Sequence, residues 1–135
     1  MPVDPVPKYL SEVEAAFSKL SSGYIERYEE ECLTPERVNL PIRIWFPKGH
    51  MLEWNEAVIG EKGHVEHLGY RYHFQDRDNN LIFRYDNTPH FPDLRAFPIH
   101  KHLPDNVIAA NRPSVNEVLE EVNGTLSIAD PTLNL

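Results

Sequence analysis

Two alternating segments on either side of Asp78-Asn79 constrain the fold most strongly. Residues 65–76 and 80–86 both alternate apolar with polar side chains, which is the pattern of strands with one buried face. Asparagine tolerates left-handed backbone conformations, so this dipeptide suits a two-residue hairpin loop in which Arg77 pairs with Asn80. The sequence therefore predicts an antiparallel hairpin here.

The chemistry of the two hairpin faces supports this register. It places Phe74 opposite Phe83 and Tyr72 opposite Tyr85, which makes one face aromatic. A shift of one residue would mix aromatic and charged side chains on both faces. The other face consists of the pairs Arg71–Asp86, His73–Arg84 and Gln75–Ile82. We expect the aromatic face to pack on the core and the polar face to be functional or exposed to solvent.

The segments before the hairpin predict further strands and a helix. Residues 40–46 alternate like a strand, residues 51–59 are consistent with its returning partner, and residues 24–33 weakly favour a strand. Apolar residues recur at helical spacing over residues 8–20, following a proline-rich segment at 1–7 that we expect to be an extended arm.

The last third of the chain predicts a connection and a second helix. Residues 87–106 are rich in proline and suggest a surface connection. Ser114 and Glu117 form a capping box ahead of a helix that Gly124 is expected to end. We leave the order of the tail at 125–135 open. The prediction is one α+β domain over residues 1–135, with an N-terminal helix, an antiparallel sheet of five to six strands and a capped C-terminal helix.

Charge and composition limit the function classes. The net charge of −8 argues against a broad nucleic-acid surface. Residues 71–102, however, hold 5 Lys and Arg against 4 Asp and Glu, and form the only part of the chain that is not acidic. A local site could therefore accept a phosphodiester.

The sequence contains no apolar run near the ~20 residues of a membrane span, and its N-terminus lacks the pattern of a signal peptide. Cys32 is the only cysteine, which excludes a cysteine-based zinc cluster. We expect a cytoplasmic protein.

The candidate functional residues are concentrated between positions 84 and 102. They are Arg84, Asp86, His90, His100, Lys101 and His102. Histidine suits proton transfer near neutral pH, whereas arginine and lysine suit phosphate binding. Because the backbone after Pro98 should be extended, His100 and His102 are expected to point to one side and Lys101 to the other.

Three interpretations of these residues remain open. The first is a metal-free ribonuclease site, in which the general acid and base would come from His90, His100 and His102. Arg84 and Lys101 would bind phosphate, and Asp86 would orient a histidine. Arg71 and His73 would bind substrate. In a metal site, His100 and His102 would be joined by Asp86 or His90; no cofactor is favoured, and zinc or another divalent metal is the alternative. In a structural interpretation, these side chains only shape a rigid loop.

Four short motifs in this order resemble the TumE-type toxins, which are small prokaryotic proteins encoded beside an antitoxin. The motifs are Tyr70-Arg71-Tyr72-His73-Phe74-Gln75-Asp76, Leu81-Ile82-Phe83-Arg84-Tyr85-Asp86-Asn87, Pro89-His90 and Phe97-Pro98-Ile99-His100-Lys101-His102. The resemblance covers roughly residues 38–122. This chain has Phe91 and Ile99 where many members of that family carry histidine, so the resemblance does not imply a mechanism that needs either histidine.

The resemblance implies a toxin with a cognate antitoxin protein as its partner. The residues add the hypothesis that the toxin is a ribonuclease acting on RNA by histidine acid–base chemistry. The alternatives are a non-catalytic protein-interaction module and a metal-dependent hydrolase or nuclease that uses the same histidines. No membrane partner is expected, and a homodimer remains an open option.

Overall fold

The computed structural model describes residues 4–87 and 99–129. These residues form two helices and eight strands, and each pair of neighbouring strands is antiparallel. In chain order the elements are α1 (Val6–Ser18), β1 (Tyr24–Tyr28), β2 (Glu31–Cys32), β3 (Arg37–Trp45), β4 (Met51–Glu61), β5 (His64–Gln75), β6 (Leu81–Asp86), β7 (His100–His102), β8 (Val107–Ala109) and α2 (Val115–Ala129).

The strands form one sheet in the order β1-β3-β4-β5-β6-β7-β8, and β2 pairs with β3. The predicted α+β class is confirmed, but the predicted count of five to six strands is too low. The strands β2, β7 and β8 contain two or three residues each, which is too short to show a period in the sequence. Strand β7 lies in the segment 87–106 that was expected to be a surface connection, and β8 begins directly after that segment. They form because the edge of β6 offers backbone partners, first to β7 and through it to β8.

One face of the sheet, here called the inner face, packs against both helices. The core includes Val13 and Phe17 from α1, Leu119 and Val122 from α2, and inward-facing strand residues such as Trp54, all of them buried. The rings of Trp54 and Tyr72 stack with their centroids 3.7 Å apart. Because each large apolar side chain stabilises the fold by roughly 1.5–3 kcal/mol when fully buried, this face accounts for much of the stability. The opposite face is here called the outer face.

Helix α1 begins earlier than the sequence suggested. It starts at Val6 and ends at Ser18, so residues 6 and 7 are helical rather than part of an extended arm. Val6 is only 2% exposed and packs with Val38 and Val58 in a small separate cluster. Pro7 is tolerated because the amide nitrogens of the first turn need no helical acceptor. Residues 1–3 of the predicted arm lie outside the described residues.

Helix α2 begins as predicted and ends later than predicted. The Ser114 hydroxyl accepts a hydrogen bond from the Glu117 amide at 3.1 Å, and the Glu117 carboxylate accepts one from the Ser114 amide at 2.9 Å, which confirms the capping box. Gly124 does not end the helix, which continues to Ala129. Leu126 is 6% exposed, and its burial offsets the roughly 1 kcal/mol by which an internal glycine weakens a helix. Residues 130–135 lie outside the described residues.

The hairpin register is confirmed at four of its predicted pairs. Strands β5 and β6 pair Arg71 with Asp86, Tyr72 with Tyr85, His73 with Arg84 and Phe74 with Phe83. The predicted two-residue loop is wrong, because a bulge pairs Gln75 with Leu81 and leaves residues 76–80 as the loop. The Asp76 carboxylate accepts hydrogen bonds from the amides of Asp78 and Asn80, at 2.9 and 3.0 Å, which stabilises the longer turn. Asn79 has the expected left-handed conformation, with φ at 66°.

Candidate active site

Two rows of side chains cross the outer face where β5, β6 and β7 lie side by side. Residues paired across neighbouring strands point to the same face of a sheet, so the register determines which side chains meet. The first row is Arg71, Asp86 and His100, and the second is His73, Arg84 and His102. Six of the eight residues predicted for the site therefore share one face.

Asp86 is the centre of a compact cluster on this face. One carboxylate oxygen, Oδ1, lies 2.5 Å from His100 Nε2. The other, Oδ2, lies 3.1 Å from Arg84 Nε and 3.4 Å from His102 Nε2. The two imidazole centroids are 4.8 Å apart and nearly perpendicular. We call Asp86, Arg84, His100 and His102 the Asp86 cluster.

Burial strengthens the interactions within the Asp86 cluster. Asp86 is 2% exposed and His100 1%, whereas the side chains of His102 and Arg84 keep 11% and 27% of their surface. Charges that are removed from water interact more strongly and lose hydration, so a buried carboxylate needs donors around it. Asp86 and His100 are therefore buried even though they lie on the polar face of the sheet. His102 and Arg84 are the members that solvent reaches.

The geometry of the Asp86 cluster also fits the ligand set of a metal ion. The ligand atoms of Asp86, His100 and His102 all lie within 4.8 Å of one another. Two imidazoles and a carboxylate are a donor set that zinc and other divalent transition metals accept. His90, the other predicted ligand and acid–base candidate, lies outside the described residues.

Lys101 lies on the inner face, away from the two histidines that flank it. Its ammonium donates a hydrogen bond to Glu121 in α2 at 2.8 Å and lies 4.7 Å from the centroid of the Tyr85 ring. Burial by itself lowers the pKa of Lys101, but the hydrogen bonds to Glu121 and Tyr85 outweigh it and the pKa is raised. The predicted alternation along β7 is confirmed, and it separates Lys101 from the Asp86 cluster.

His73 is the neutral neighbour of the Asp86 cluster. It is half-buried on β5, and its Nε2 lies 2.8 Å from the Gln75 side-chain oxygen. Burial lowers the pKa of His73, and the guanidiniums of Arg71 and Arg84 lower it further. His73 is therefore suited to hydrogen bonding at neutral pH rather than to carrying positive charge. Arg71, its neighbour two residues away, is exposed.

A second polar cluster lies on the inner face, and the sequence analysis missed it. Glu56 in β4 is 3% exposed, yet it occupies a core position between Trp54 and Val58. Its carboxylate accepts hydrogen bonds from the hydroxyls of Tyr9 and of Tyr72, the latter at 2.6 Å. His67 Nε2 lies 3.2 Å from the carboxylate, and Arg112 donates to the Tyr72 hydroxyl at 3.3 Å. We call these five residues the Glu56 cluster: Tyr9, Glu56, His67, Tyr72 and Arg112.

The Glu56 cluster joins four parts of the chain that are distant in sequence. Burial by itself raises the pKa of Glu56, but the hydrogen bonds from His67, Tyr72 and Tyr9 outweigh it and the pKa lies below its ordinary value. His67 keeps only 12% of its side chain exposed in this cluster. A charged residue at an inward-facing position of an alternating strand was the available signal. We assign the Glu56 cluster a structural role.

Comparison with protein-family models identifies the family of this chain. The family model described as Toxin TumE matches residues 13–126, which is most of the chain. The chain belongs to the TumE toxin family. The match is wider than the range of 38–122 that the motifs suggested, and it includes part of α1 and most of α2. No curated protein and no solved structure matches the chain.

Membership of the TumE family makes the chain the toxin component of a toxin–antitoxin system and implies a cognate antitoxin partner. The matched range contains the whole Asp86 cluster. Among the described residues, neither helix is long and apolar enough to span a membrane.

Proposed function

We propose that this TumE-family toxin acts in the cytoplasm by cleaving RNA at the Asp86 cluster. The observation that carries the proposal is the pairing of two imidazoles and one guanidinium with a single buried carboxylate. A cluster of side chains that can transfer protons and bind anions is the usual starting point for assigning an active site. The cluster also lies on the face of the sheet that neither helix covers.

The chemistry requires two proton transfers and one site of positive charge. A base takes the proton of the 2′-hydroxyl, the oxygen attacks phosphorus, and an acid protonates the leaving 5′-oxygen. Arg84 would stabilise the negative charge that develops on the phosphoryl oxygens. His102 is the imidazole that solvent reaches, so we assign it one proton transfer. His100 or His90 would perform the other.

Asp86 would act through His100 rather than on the substrate. A carboxylate paired with an imidazole holds the ring in one orientation and favours one tautomer. His73 would contribute a hydrogen bond from the neighbouring position on β5. Lys101 has no part in this mechanism because its ammonium lies on the inner face with Glu121.

A second candidate is metal-dependent hydrolysis at the same cluster. The observation that favours it is the close approach of the ligand atoms of Asp86, His100 and His102. A divalent ion, when bound, supplies an activated water and a Lewis acid. In that case Arg84 would still bind the phosphate. A non-catalytic interaction module is the remaining alternative.

The test is RNA cleavage by the purified, antitoxin-free protein, compared with His100→Ala and His102→Ala variants that are shown to be folded. Cleavage that survives EDTA but falls by at least about a hundredfold in the variants would support proton transfer by histidine. Loss of cleavage with EDTA, together with stoichiometric metal in the purified protein, would support the metal-dependent alternative. Absence of cleavage in every condition would reject both and favour the interaction module.

Replacement of Lys101 tests whether this lysine takes part in cleavage or only lies between His100 and His102 in the sequence. We expect Lys101→Met to leave cleavage at the wild-type rate, because the ammonium does not reach the outer face. The same change should lower the free energy of unfolding by about 1 kcal/mol, through loss of the Glu121 ion pair and the contact with Tyr85. Cleavage kinetics and urea denaturation measure the two effects. A large loss of cleavage in a stable Lys101→Met protein would show that Lys101 takes part in cleavage.

A further inference from the structure

A groove of about 510 Å³ lies on the outer face, beside the Asp86 cluster. Its lining includes arginine and asparagine side chains from β1, β3, β4 and β5 and from the residue after β6. They are Arg27, Arg37, Arg71, Asn39, Asn55 and Asn87. The small residues Ala57 and Gly69, which pair across β4 and β5, also line it.

The groove continues into the Asp86 cluster along one cross-strand row. Asn55 pairs with Arg71, Arg71 with Asp86, and Asp86 with His100. Neighbouring strands lie about 4.8 Å apart, so the three steps from Asn55 to His100 span roughly 14 Å. Asn87 stands at the junction, where its side-chain oxygen accepts a hydrogen bond from the Tyr70 amide at 3.0 Å. A chain-like ligand in the groove would therefore reach the edge of the Asp86 cluster, where the side chains of Arg84 and His102 are open to solvent.

The charge of the groove contrasts with that of the whole chain. The chain has a net charge of −8, yet three arginines line this one groove. Glu31 also lines it and lies 3.9 Å from Arg27, so it offsets part of the charge of that arginine. Glu56 borders the groove, but its carboxylate is bound by the donors of the Glu56 cluster. Arg37 and Arg71, both exposed, carry the remaining positive charge.

These side chains match the chemistry of a nucleic-acid strand. Arginine binds phosphate through two parallel N–H donors, and asparagine can bind phosphate oxygens or base edges. The acidic remainder of the protein would repel a long polyanion, so only a short length of strand can bind favourably. We propose that the groove binds the phosphodiester backbone of single-stranded RNA and leads it to the Asp86 cluster. This inference rests on the proposed ribonuclease function and names the binding site for its substrate.

Binding can be measured separately from cleavage. The probe is a short fluorescent single-stranded RNA, titrated with the full-length His102→Ala protein and followed by fluorescence anisotropy, with single-stranded DNA of the same sequence and inorganic phosphate as competitors. We expect Arg37→Ala/Arg71→Ala to weaken RNA binding at least about tenfold. The slope of log K against log salt should become shallower by about 1.4, because two phosphate contacts are lost. Arg43→Ala is the matched control, since Arg43 lies on the same face but is paired with Glu26 and Glu53.

A steric variant tests the groove without changing any charge. A Cβ atom at Gly69 would meet only the Asn87 side-chain oxygen, at 3.9 Å, so Gly69→Leu should fold and fill the groove. It should weaken RNA binding while its melting temperature stays near that of the parent protein. Competition by DNA as effective as that by RNA would support recognition of the phosphodiester, which both strands share.

The outcomes distinguish the groove from the ribonuclease proposal. Unchanged RNA binding in both the Arg37→Ala/Arg71→Ala and the Gly69→Leu variants would overturn the proposal that the groove binds RNA. Loss of antitoxin binding alone, with RNA binding intact, would also overturn it. If the variants lose RNA binding but the wild-type protein cleaves no RNA, the groove stands and the ribonuclease proposal falls.

Discussion

Replacing Asp86 with asparagine is expected to lower RNA cleavage by at least about a hundredfold while the sheet remains folded. Asparagine keeps the shape of the side chain but removes the negative charge that contacts His100, His102 and Arg84. An amide at this position can also present a donor to His100 Nε2, which would favour the wrong tautomer. The loss should appear mainly in the rate of the chemical step rather than in RNA affinity.

Asp78→Asn is the matched control for this prediction. Asp78 is an exposed residue in the loop of the same hairpin, so the same chemical change there should leave cleavage unaltered. Cleavage kinetics with saturating RNA and thermal melting of both variants provide the measurements. Wild-type cleavage by a folded Asp86→Asn protein would show that the cluster is structural. It would then remove the basis for both the proton-transfer and the metal-dependent mechanisms.

Replacing Glu56 with alanine is expected to lower the free energy of unfolding by about 3–5 kcal/mol. The change leaves the hydroxyls of Tyr9 and Tyr72 and the ring of His67 without their common acceptor inside the core. It also removes the carboxylate whose negative charge favours the half-buried guanidinium of Arg112. A loss of this size is a large fraction of the stability of a small domain.

Glu53→Ala is the control, because Glu53 lies in the same strand but on the outer face, where it pairs with Arg43. That pair is partly exposed, and its loss should cost about 1 kcal/mol or less. Urea denaturation of both variants measures the difference. Equal effects of the two substitutions would contradict the assignment of Glu56 as the central acceptor of the inner face.

The pH dependence of stability provides a further test of Glu56. Its pKa in the folded chain lies below the ordinary value of 4.5. The carboxylate therefore contributes its full stabilisation above pH 4.5 and loses it as the pH falls toward the folded-state pKa. Consequently, the difference in the free energy of unfolding between the wild-type protein and Glu56→Gln should narrow as the pH falls below 4.5. A difference that is constant across the acid range would contradict the lowered pKa.

Local pattern was sufficient to predict much of the outer face. Four pairs of the β5–β6 hairpin were predicted from the alternation along both strands and from the matching of aromatic partners. Alternation along β7 predicted that Lys101 would point away from His100 and His102. Face assignment is a local property, because successive residues of a strand point to opposite sides. The short strands and the end of α2 were not predictable in this way, since they depend on neighbours that are distant in sequence.

The sequence by itself determined the α+β class, the hairpin register, the family and the residues that form the Asp86 cluster. Only the tertiary structure decided that Asp86 and His100 are buried, that the Glu56 cluster joins side chains from four segments, and that Arg27, Arg37 and Arg71 line one groove. The physical reason is that the backbone period determines the direction of a side chain, whereas strand order and helix packing determine its neighbours. Those neighbours in turn govern burial, charge pairing and the shape of the outer face.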